Sequence, residues 1–459
     1  MNYDTICAIS TTPGEAAIAI IRLSGKDAIA ICNKIFKSYN RKKLSIKRIR
    51  TIIMGDIVDG KNTIDEVLIT VFQGPKSYTG ENTVEISCHG SLFIQNKITQ
   101  LLIKNGCRLA KKGEFTLRAF LNGKLDLSQA EGVAELISSD NEKSHELAIK
   151  QMRGGFSNEI KMLRQKFIKF ASLIELELDF SQEDVEFANR KELLNLINHI
   201  RDKVNKLLES FKLGNVIKNG IPISIVGPPN SGKSTLLNTI LNEDRAIVSN
   251  VKGTTRDTIE ENISIQGYKL KFIDTAGLRE TNDKIEKIGI SKTYTKIMES
   301  VFILYLIDKN DFDTKKIQKE LHNIMDSINN NSEIIILANK HDLNKNNLQL
   351  DLKNKIYTLN ISAQNGDGIN QLLDLIIKQV EKWRSLNNDI TMINQRHFES
   401  LINTLHNIND IQDGITNNIS SEFLALDIKR CLNSLGEITG EITNEHLLDS
   451  IFKDFCIGK

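Results

Sequence analysis

The chain has 459 residues, a length that favours two or three domains over one hydrophobic core. A hydrophobic content of 40%, a charged content of 26% and a net charge of +2 are typical of a soluble globular protein, and they give no electrostatic reason to expect nucleic-acid binding by the molecule as a whole. Six scattered cysteines without a C-x-x-C pair argue against a zinc site and a disulfide framework, and favour a reducing, cytoplasmic compartment.

The first 120 residues alternate short β-like runs with turns, which predicts a small α+β domain. They begin with no basic segment followed by an apolar core, and the sequence contains no run of about 18 apolar residues, so neither a secretory signal nor a membrane span is expected. The predicted strands cover 17–23, 51–55, 65–72 and 83–88, and a predicted helix covers 92–103.

Charged side chains in this domain allow two interpretations. Arg22, Glu85 and His89 lie near predicted strand ends and are candidates for a ligand site. The alternative is that charged residues on strands face water, which is the commoner case. Residues 41–50 carry six basic side chains, which favour a solvated loop, with a contact to RNA phosphates as the alternative.

A helical region follows the first domain. A short helix is expected within 113–124, and Ser128 with Glu131 matches a capping box that predicts a helix start at Ser128. The simplest account of the helices is one bundle split by an inserted domain, with two independent helical pieces as the alternative. Helical periodicity extends from Ser128 to about residue 211 with breaks near Gly154 and over 179–189, and returns at 398–411, 422–435 and 446–455.

The stretch 227–235 reads GPPNSGKST and fits the phosphate-loop pattern G-x-x-x-x-G-K-[ST]. It lies between an apolar run at 221–226, typical of a buried strand, and a helical run at 235–241. In that context glycines let the backbone wrap a phosphate, Lys233 reaches the terminal phosphates and Ser234 can hold Mg²⁺. A simple glycine turn is the alternative, which the flanking elements disfavour. Over 220–383 strands and helices alternate, which predicts a doubly wound, mostly parallel sheet.

Further motifs in this region identify the nucleotide as GTP. Asp274 ends an apolar run and can reach Mg²⁺ through water, and Gly277 can sense the γ-phosphate. Asp342, in the run Asn-Lys-His-Asp, can accept both N1–H and N2–H of guanine, a donor pair that adenine lacks. Ser362 and Ala363 can place a backbone N–H on the guanine carbonyl. The segment 253–257 lies where a mobile switch would supply a hydroxyl to Mg²⁺. Together these motifs predict a GTPase.

The residue after Asp-Thr-Ala-Gly is Leu278, where many small GTPases have a glutamine that orients the attacking water. Because leucine cannot orient water, hydrolysis needs another water-positioning residue and another source of positive charge. Asn230 is suited to hold a monovalent cation beside the phosphates, and Glu286 is a candidate for positioning water. An exposed switch residue is the alternative for Glu286.

The motifs of this sequence resemble those of the MnmE (TrmE) family of tRNA modification GTPases over essentially the full length. The resemblance depends on the segments 113–127, 129–131, 229–234, 253–257, 274–280 and 436–440, and most specifically on the final Cys-Ile-Gly-Lys. It implies a multidomain α+β and α/β protein with an N-terminal folate-binding and dimerisation domain (1–120), a discontinuous helical bundle (121–216 and 384–459) and an inserted Ras-like P-loop GTPase domain (217–383). Ser91 and Gln364 depart from the family pattern.

The resemblance also implies an activity and its partners. The family acts as a potassium-dependent GTPase and homodimer. With a flavin-dependent partner of the MnmG type, it installs an aminomethyl or carboxymethylaminomethyl group at C5 of the wobble uridine of certain tRNAs. A tetrahydrofolate derivative supplies the one-carbon unit, and no membrane is involved. Cys456 is a family position of functional interest, although a structural role remains the alternative.

The site residues implied by the resemblance fall into five sets. Catalysis is assigned to Glu286, Asn230 and Thr254, and folate binding to Arg22, Glu85, Lys124 and Lys459. Mg²⁺ is assigned to Ser234 and Thr255, and K⁺ to Asn230, Ser249, Val251 and Thr254. GTP contacts are assigned to Asn230, Ser231, Gly232, Lys233, Ser234, Thr235, Ser249, Thr254, Thr255, Asp274, Thr275, Ala276, Gly277, Asn339, Lys340, Asp342, Ser362 and Ala363.

A GTP-switched, RNA-binding ribosome-assembly factor is the alternative from another functional class. Such factors share the central motifs but usually append an RNA-binding module to the GTPase domain. Here the appended parts are predicted helices and a non-basic tail, which disfavour this alternative. Binding of tetrahydrofolate discriminates between the two.

Overall fold

The computed structural model describes residues 4–45, 51–179, 190–242, 247–248, 260–274, 297–327, 332–343, 356–386, 394–417, 419–453 and 455–458. Contacts divide the chain into two compact units, one formed by residues 1–138, 148–198 and 403–459 and the other by residues 139–147 and 199–402. The predicted domain boundaries at residues 120, 216 and 383 remain predictions. Among the described helices, none is long and apolar enough to cross a membrane.

The helices and strands have the following bounds. The helices are α1 (Ala28–Ile35), α2 (Leu92–Lys104), α3 (Glu114–Leu121), α4 (Leu127–Ser138), α5 (Glu142–Met152), α6 (Gly155–Asp179), α7 (Arg190–Asn219), α8 (Lys233–Leu241), α9 (Thr314–Ser327), α10 (Ile369–Leu386), α11 (Gln395–Thr416), α12 (Ser421–Thr439) and α13 (Glu445–Phe452). The strands are β1 (Ile6–Ile9), β2 (Ala16–Ser24), β3 (Phe36–Ser38), β4 (Ile52–Asp59), β5 (Asn62–Phe72), β6 (Thr83–Gly90), β7 (Arg108–Leu109), β8 (Ile221–Val226), β9 (Ile247–Val248), β10 (Glu260–Ile265), β11 (Tyr268–Asp274), β12 (Phe302–Asp308), β13 (Glu333–Asn339) and β14 (Ile356–Asn360).

The first unit begins with a sheet whose strand order is β3-β4-β5-β6-β2-β1-β7. Its described pairs are antiparallel, apart from the parallel pair β1–β7. Residues alternate between the two faces, so Val67, Ile69 and Val71 of β5 enter one hydrophobic core together with residues of α1 and α2. The small α+β domain is therefore confirmed, and β2 and β6 lie side by side within its sheet.

The helices of the first unit come from both ends of the sequence. Helix α6 packs along α12, and Arg164 of α6 donates from Nε to the carbonyl oxygen of Leu432 at 3.4 Å. Because these residues lie on opposite sides of the nucleotide-binding segment in sequence, the discontinuous helical bundle is confirmed. Two independent helical pieces would not make this contact.

The predicted capping box at the start of α4 is wrong. Asp126, not Ser128, caps the helix, because its Oδ1 accepts from the backbone N–H of Gln129 at 3.0 Å. The Gln129 side chain returns the contact, accepting at Oε1 from the Asp126 N–H at 2.9 Å. Asp-x-x-Gln therefore forms the box two residues before the predicted one, and Ser128 is buried within the first turn.

The second unit contains a sheet of order β14-β13-β12-β8-β11-β10-β9. Strands β14, β13, β12, β8 and β11 are parallel neighbours, and β10 is antiparallel to both β11 and β9. Strand β8 is apolar apart from Ser224 and is almost entirely buried, as expected for a central strand with parallel neighbours on both sides. The predicted doubly wound sheet is confirmed, and the carboxyl ends of β8, β12 and β13 meet at one edge.

Candidate functional site

The phosphate loop leaves the carboxyl end of β8 and leads into α8. Gly232, which precedes α8, has φ +98°, and a Cβ there would lie 2.3 Å from Nδ2 of Asn339. A Cβ on Gly227 would lie 2.3 Å from the carbonyl oxygen of Leu306. Glycine is therefore required at both ends of the loop. Because glycine has no side chain, the N-terminus of α8 stays open at Gly232. That helix end is a suitable anion site, because the first N–H groups of a helix point beyond its end.

Four polar residues surround the mouth of this loop. Lys233 Nζ donates to the carbonyl oxygens of Gly227 at 3.1 Å and Pro228 at 2.9 Å, which holds the ammonium across the loop. Ser234 and Thr235 are exposed on the first turn of α8. Asn230 is also exposed and has φ +62°, a left-handed conformation that asparagine tolerates better than most residues.

Asn339 joins three of the sequence motifs. Its side chain is buried, Nδ2 donates to the carbonyl oxygen of Ser231 at 2.7 Å, and Oδ1 accepts from the backbone N–H of Ala363 at 2.9 Å. Thr239 Oγ1 also donates to the carbonyl oxygen of Ala363 at 2.5 Å. Only an amide offers a donor and an acceptor in this arrangement, so Asn339 ties the phosphate loop to the Ser362–Ala363 segment.

Lys340 is held by a residue that the sequence argument missed. Its Nζ donates to Asp308 Oδ2 at 2.5 Å, and Asp308 lies opposite Asn339 in the parallel register of β12 and β13. Burial alone would raise the pKa of Asp308, but hydrogen bonds from Lys340 and from the backbone N–H of Asn310 bring that pKa below its ordinary value. In the sequence, Asp308 could have been identified as a charged residue at the end of an apolar run. Asp342 is exposed at the same edge of the sheet.

Several predicted site residues lie outside the described residues. These are Ser249, Val251, Thr254, Thr255, Thr275, Ala276, Gly277, Glu286 and Lys459. Asp274 ends β11, but its side chain lies outside the described part of the chain. The structure therefore brings Asn339 together with Ser231, Gly232 and Ala363 from the nucleotide set. The binding and catalytic roles of all the assigned residues stay predictions.

A second polar site lies on the sheet of the first unit. Arg22 and Glu85 are register partners on β2 and β6, and Arg22 donates to Glu85 Oε1 from Nε at 2.9 Å and from NH2 at 2.8 Å. The C-terminal tail reaches this pair, since the carbonyl oxygen of Gly458 lies 3.4 Å from Arg22 NH1 and 3.2 Å from Ser10 Oγ. A Cβ on Gly458 would lie 2.4 Å from the carbonyl oxygen of Ile9, so glycine is required where the tail meets β1.

The other predicted residues of this site have mixed outcomes. Lys124 is exposed, and its Cγ lies 3.4 Å from the position of a Cβ on Gly80. Cys456 is exposed, and its carbonyl oxygen accepts from the N–H of Gly113 at 3.3 Å. His89 pairs with Asp65 of β5: its Nδ1 lies 2.7 Å from Asp65 Oδ1, and its backbone N–H donates to Asp65 Oδ2 at 2.8 Å. The suggested grouping of His89 with Arg22 and Glu85 stays a prediction.

Comparisons with known proteins cover the whole chain. A family model described as the MnmE helical domain matches residues 127–456, and one described as the GTP-binding protein TrmE N-terminus matches residues 5–124. The chain is 51% identical to the tRNA modification GTPase MnmE of Flavobacterium johnsoniae, with 100% of both chains covered. It is 48% identical to the protein of the same name from Bacteroides thetaiotaomicron, again over 100% of both chains. Among solved structures, Era in complex with MgGDPNP and a segment of 16S ribosomal RNA is 28% identical over 34% of this chain and 55% of that chain, with a TM-score of 0.28.

Proposed function

The chain belongs to the MnmE family of tRNA modification GTPases, and from this premise we propose that it uses GTP hydrolysis to install an aminomethyl or carboxymethylaminomethyl group at C5 of the wobble uridine of certain tRNAs. The observation that carries the proposal is the 51% identity to a tRNA modification GTPase with both chains covered in full. A ribosome-assembly factor is disfavoured, because that relative matches beyond the GTPase domain as well as within it.

The described residues support binding of GTP through both ends of the nucleotide. The N-terminus of α8 and the ammonium of Lys233 attract the phosphates. Asp342 receives the two guanine N–H groups, and Asn339 fixes the neighbouring motif by accepting the backbone N–H of Ala363 at 2.9 Å. The Asp342 carboxylate discriminates against adenine, because the edge of adenine offers no matching pair of N–H donors.

Two described residues, Ser234 and Asn230, have the side-chain oxygens and the exposure that the two cations of the family require. Ser234 is exposed at the first turn of α8 and would hold Mg²⁺ with Thr255, while Asn230 would hold K⁺ with Ser249, Val251 and Thr254. When bound, the two cations supply positive charge that offsets the charge developing on the phosphates during hydrolysis. Glu286 orients the attacking water, replacing the glutamine that Leu278 cannot supply.

The site around Arg22 and Glu85 takes the tetrahydrofolate derivative. A guanidinium and a carboxylate side by side offer both donors and an acceptor to a planar heterocycle. Lys124 and Lys459 add positive charge for the acidic end of the ligand. The protein acts as a homodimer together with a flavin-dependent partner of the MnmG type.

Mass spectrometry of wobble nucleosides tests the proposal. In tRNA from cells that lack the protein, we expect the C5-modified uridines to be lost, and the intact chain to restore them. Lys233→Ala removes the ammonium that faces the phosphates, so it restores little or nothing. Lys316→Ala, an exposed lysine of α9, serves as the matched control and restores modification fully. Unchanged nucleosides in the deletion strain would refute the proposal.

A further inference from the structure

Arg22 is enclosed by two aromatic rings that no sequence motif assigned to its site. The guanidinium carbon lies 5.6 Å from the centroid of the Tyr78 ring and 5.7 Å from that of the Phe115 ring. Both distances are within the range in which a cation is attracted to the face of an aromatic ring. Three chain segments distant in sequence therefore converge on one side chain: β2, the loop containing Tyr78 and the start of α3.

Both rings are themselves fixed. Phe115 is fully buried and packs with Ile6, Ala8 and Ala110, and Tyr78 packs against the same cluster. The Tyr78 hydroxyl lies 2.8 Å from Oγ1 of Thr116, which is also fully buried. A ring held by a core and by a hydrogen bond has few alternative positions, so it can restrict a neighbouring long side chain.

The arrangement leaves part of the ion pair available to a ligand. Both contacts from Arg22 use the same carboxylate oxygen, Oε1 of Glu85. Among the described residues, Oε2 of Glu85 has no hydrogen-bond partner, and the Glu85 side chain is 26% exposed. An acceptor oxygen held at a fixed angle beside a guanidinium can receive a ligand donor only if Arg22 does not swing away.

We propose that Tyr78 is a positioning residue, which with Phe115 holds the Arg22 guanidinium so that the Arg22–Glu85 pair presents one fixed edge to the ring of tetrahydrofolate. This inference rests on the proposed function, because it concerns the same ligand. Tyr78 acts through Arg22 and need not touch the ligand. An arginine side chain otherwise loses considerable rotamer freedom when a ligand binds, and the two rings remove that freedom in advance.

Anaerobic calorimetry with tetrahydrofolate tests the proposal through a double-mutant cycle. Tyr78→Leu removes the ring face and weakens binding about tenfold, whereas Tyr78→Phe keeps the ring and stays within about threefold of the intact protein. In an Arg22→Gln background, which has no cation for the ring to hold, Tyr78→Leu has no further effect, because Tyr78 acts on the ligand through the guanidinium. Tyr39→Leu, an exposed tyrosine of the same domain, is the matched control and binds normally.

The outcomes separate the inference from the proposed function. No binding by the intact protein refutes the folate assignment itself. Normal binding by Tyr78→Leu, or an equal loss in both backgrounds, overturns only the positioning role. Hydrogen exchange at Nε–H of Arg22, followed by NMR without ligand, provides a second measurement. It becomes faster in Tyr78→Leu and not in Tyr78→Phe, and equal rates in all three proteins likewise overturn the proposal. Thermal unfolding of each variant, followed by circular dichroism, confirms that the unit containing Tyr78 has folded.

Discussion

At the scale of single residues, two asparagines of the nucleotide site differ in burial and therefore in role. Asn339 is buried with both ends of its amide engaged, so its role is to join segments of the protein. Asn230 is exposed in a left-handed conformation at the mouth of the loop, so its amide is accessible to a ligand there. The motif predicted both residues. Only the structure separates the two roles, because burial depends on contacts made across 108 residues of sequence.

Asn230→Gly tests the potassium assignment at the level of one side chain. Glycine adopts a φ of +62° without strain, so the substitution removes the amide and leaves the loop conformation intact. We expect the intact protein to hydrolyse GTP much faster in K⁺ than in Na⁺, and this advantage to fall at least about tenfold in the variant. The measurement is the steady-state rate in each salt.

Asn242→Ala is a suitable control, because Asn242 is exposed at the opposite end of α8. It should retain the full preference for K⁺, and GTP affinity should stay near normal in both variants. Equal rates of the intact protein in the two salts would remove Asn230 from its proposed role.

At the scale of elements, α3 shows what local patterns predict and what they miss. The helix and its i,i+4 pair Glu114–Arg118 can be read from sequence, because both depend on neighbours within one turn. The structure adds that Arg118 is buried and donates to the carbonyl oxygen of Asp4 at 2.9 Å and to Glu81 Oε2 at 3.1 Å. These partners come from distant segments, so no periodicity could reveal them.

The same limit explains the other differences between sequence and structure. Strand and helix positions were predictable because alternation and helical spacing are local. The capping box shifted to Asp126 because two candidate boxes overlap in the sequence, and only the backbone geometry decides between them. The contact of Gly458 with Arg22 joins residues 436 positions apart, so no local pattern could reveal it. From the C-terminal tail, the family resemblance grouped only Lys459, the residue after Gly458, with Arg22.

The carboxylates around α3 give the first unit a pH dependence. Hydrogen bonds from Arg108 lower the pKa of Asp4. For Glu114, burial would raise the pKa, but hydrogen bonds from Arg108, Lys111 and Arg118 bring it below its ordinary value. A carboxyl group with a lower pKa in the folded state stabilises the fold above its unfolded-state pKa of about 4, and this contribution is lost as pH falls through the folded value.

Glu114→Gln is therefore expected to be less stable than the intact protein at pH 7, by about 1–3 kcal/mol, because a charge-assisted hydrogen bond is lost beside two arginines. The difference should shrink as pH falls from 5 towards 3, where the intact protein also loses the carboxylate. Thermal unfolding across this range measures it. Glu15→Gln, an exposed residue of the same domain, should show no such trend. A constant difference at all pH values would contradict the assignment.

At the scale of the whole molecule, each compact unit carries one of the two proposed ligand sites. The phosphate loop and Asn339 belong to the unit that contains residues 199–402, whereas Arg22, Glu85 and the C-terminal tail belong to the other. A ligand that binds only the folded form of a unit stabilises that unit by mass action. Each of the two proposed ligands should therefore raise the unfolding temperature of a different unit.

Differential scanning calorimetry should resolve the unfolding transitions of the two units. A non-hydrolysable GTP analogue with Mg²⁺, at 100 times its dissociation constant, contributes about 2.7 kcal/mol and should raise one transition by roughly 5–10 °C. Tetrahydrofolate should raise the other transition and leave the first in place. Lys233→Ala should abolish the nucleotide shift and keep the folate shift, because Lys233 belongs to one site alone. If both ligands raise a single common transition, the two units unfold as one, and the expectation of separate transitions is wrong. A gain in unfolding free energy with both ligands that differs from the sum of the separate gains would then measure coupling between the two sites.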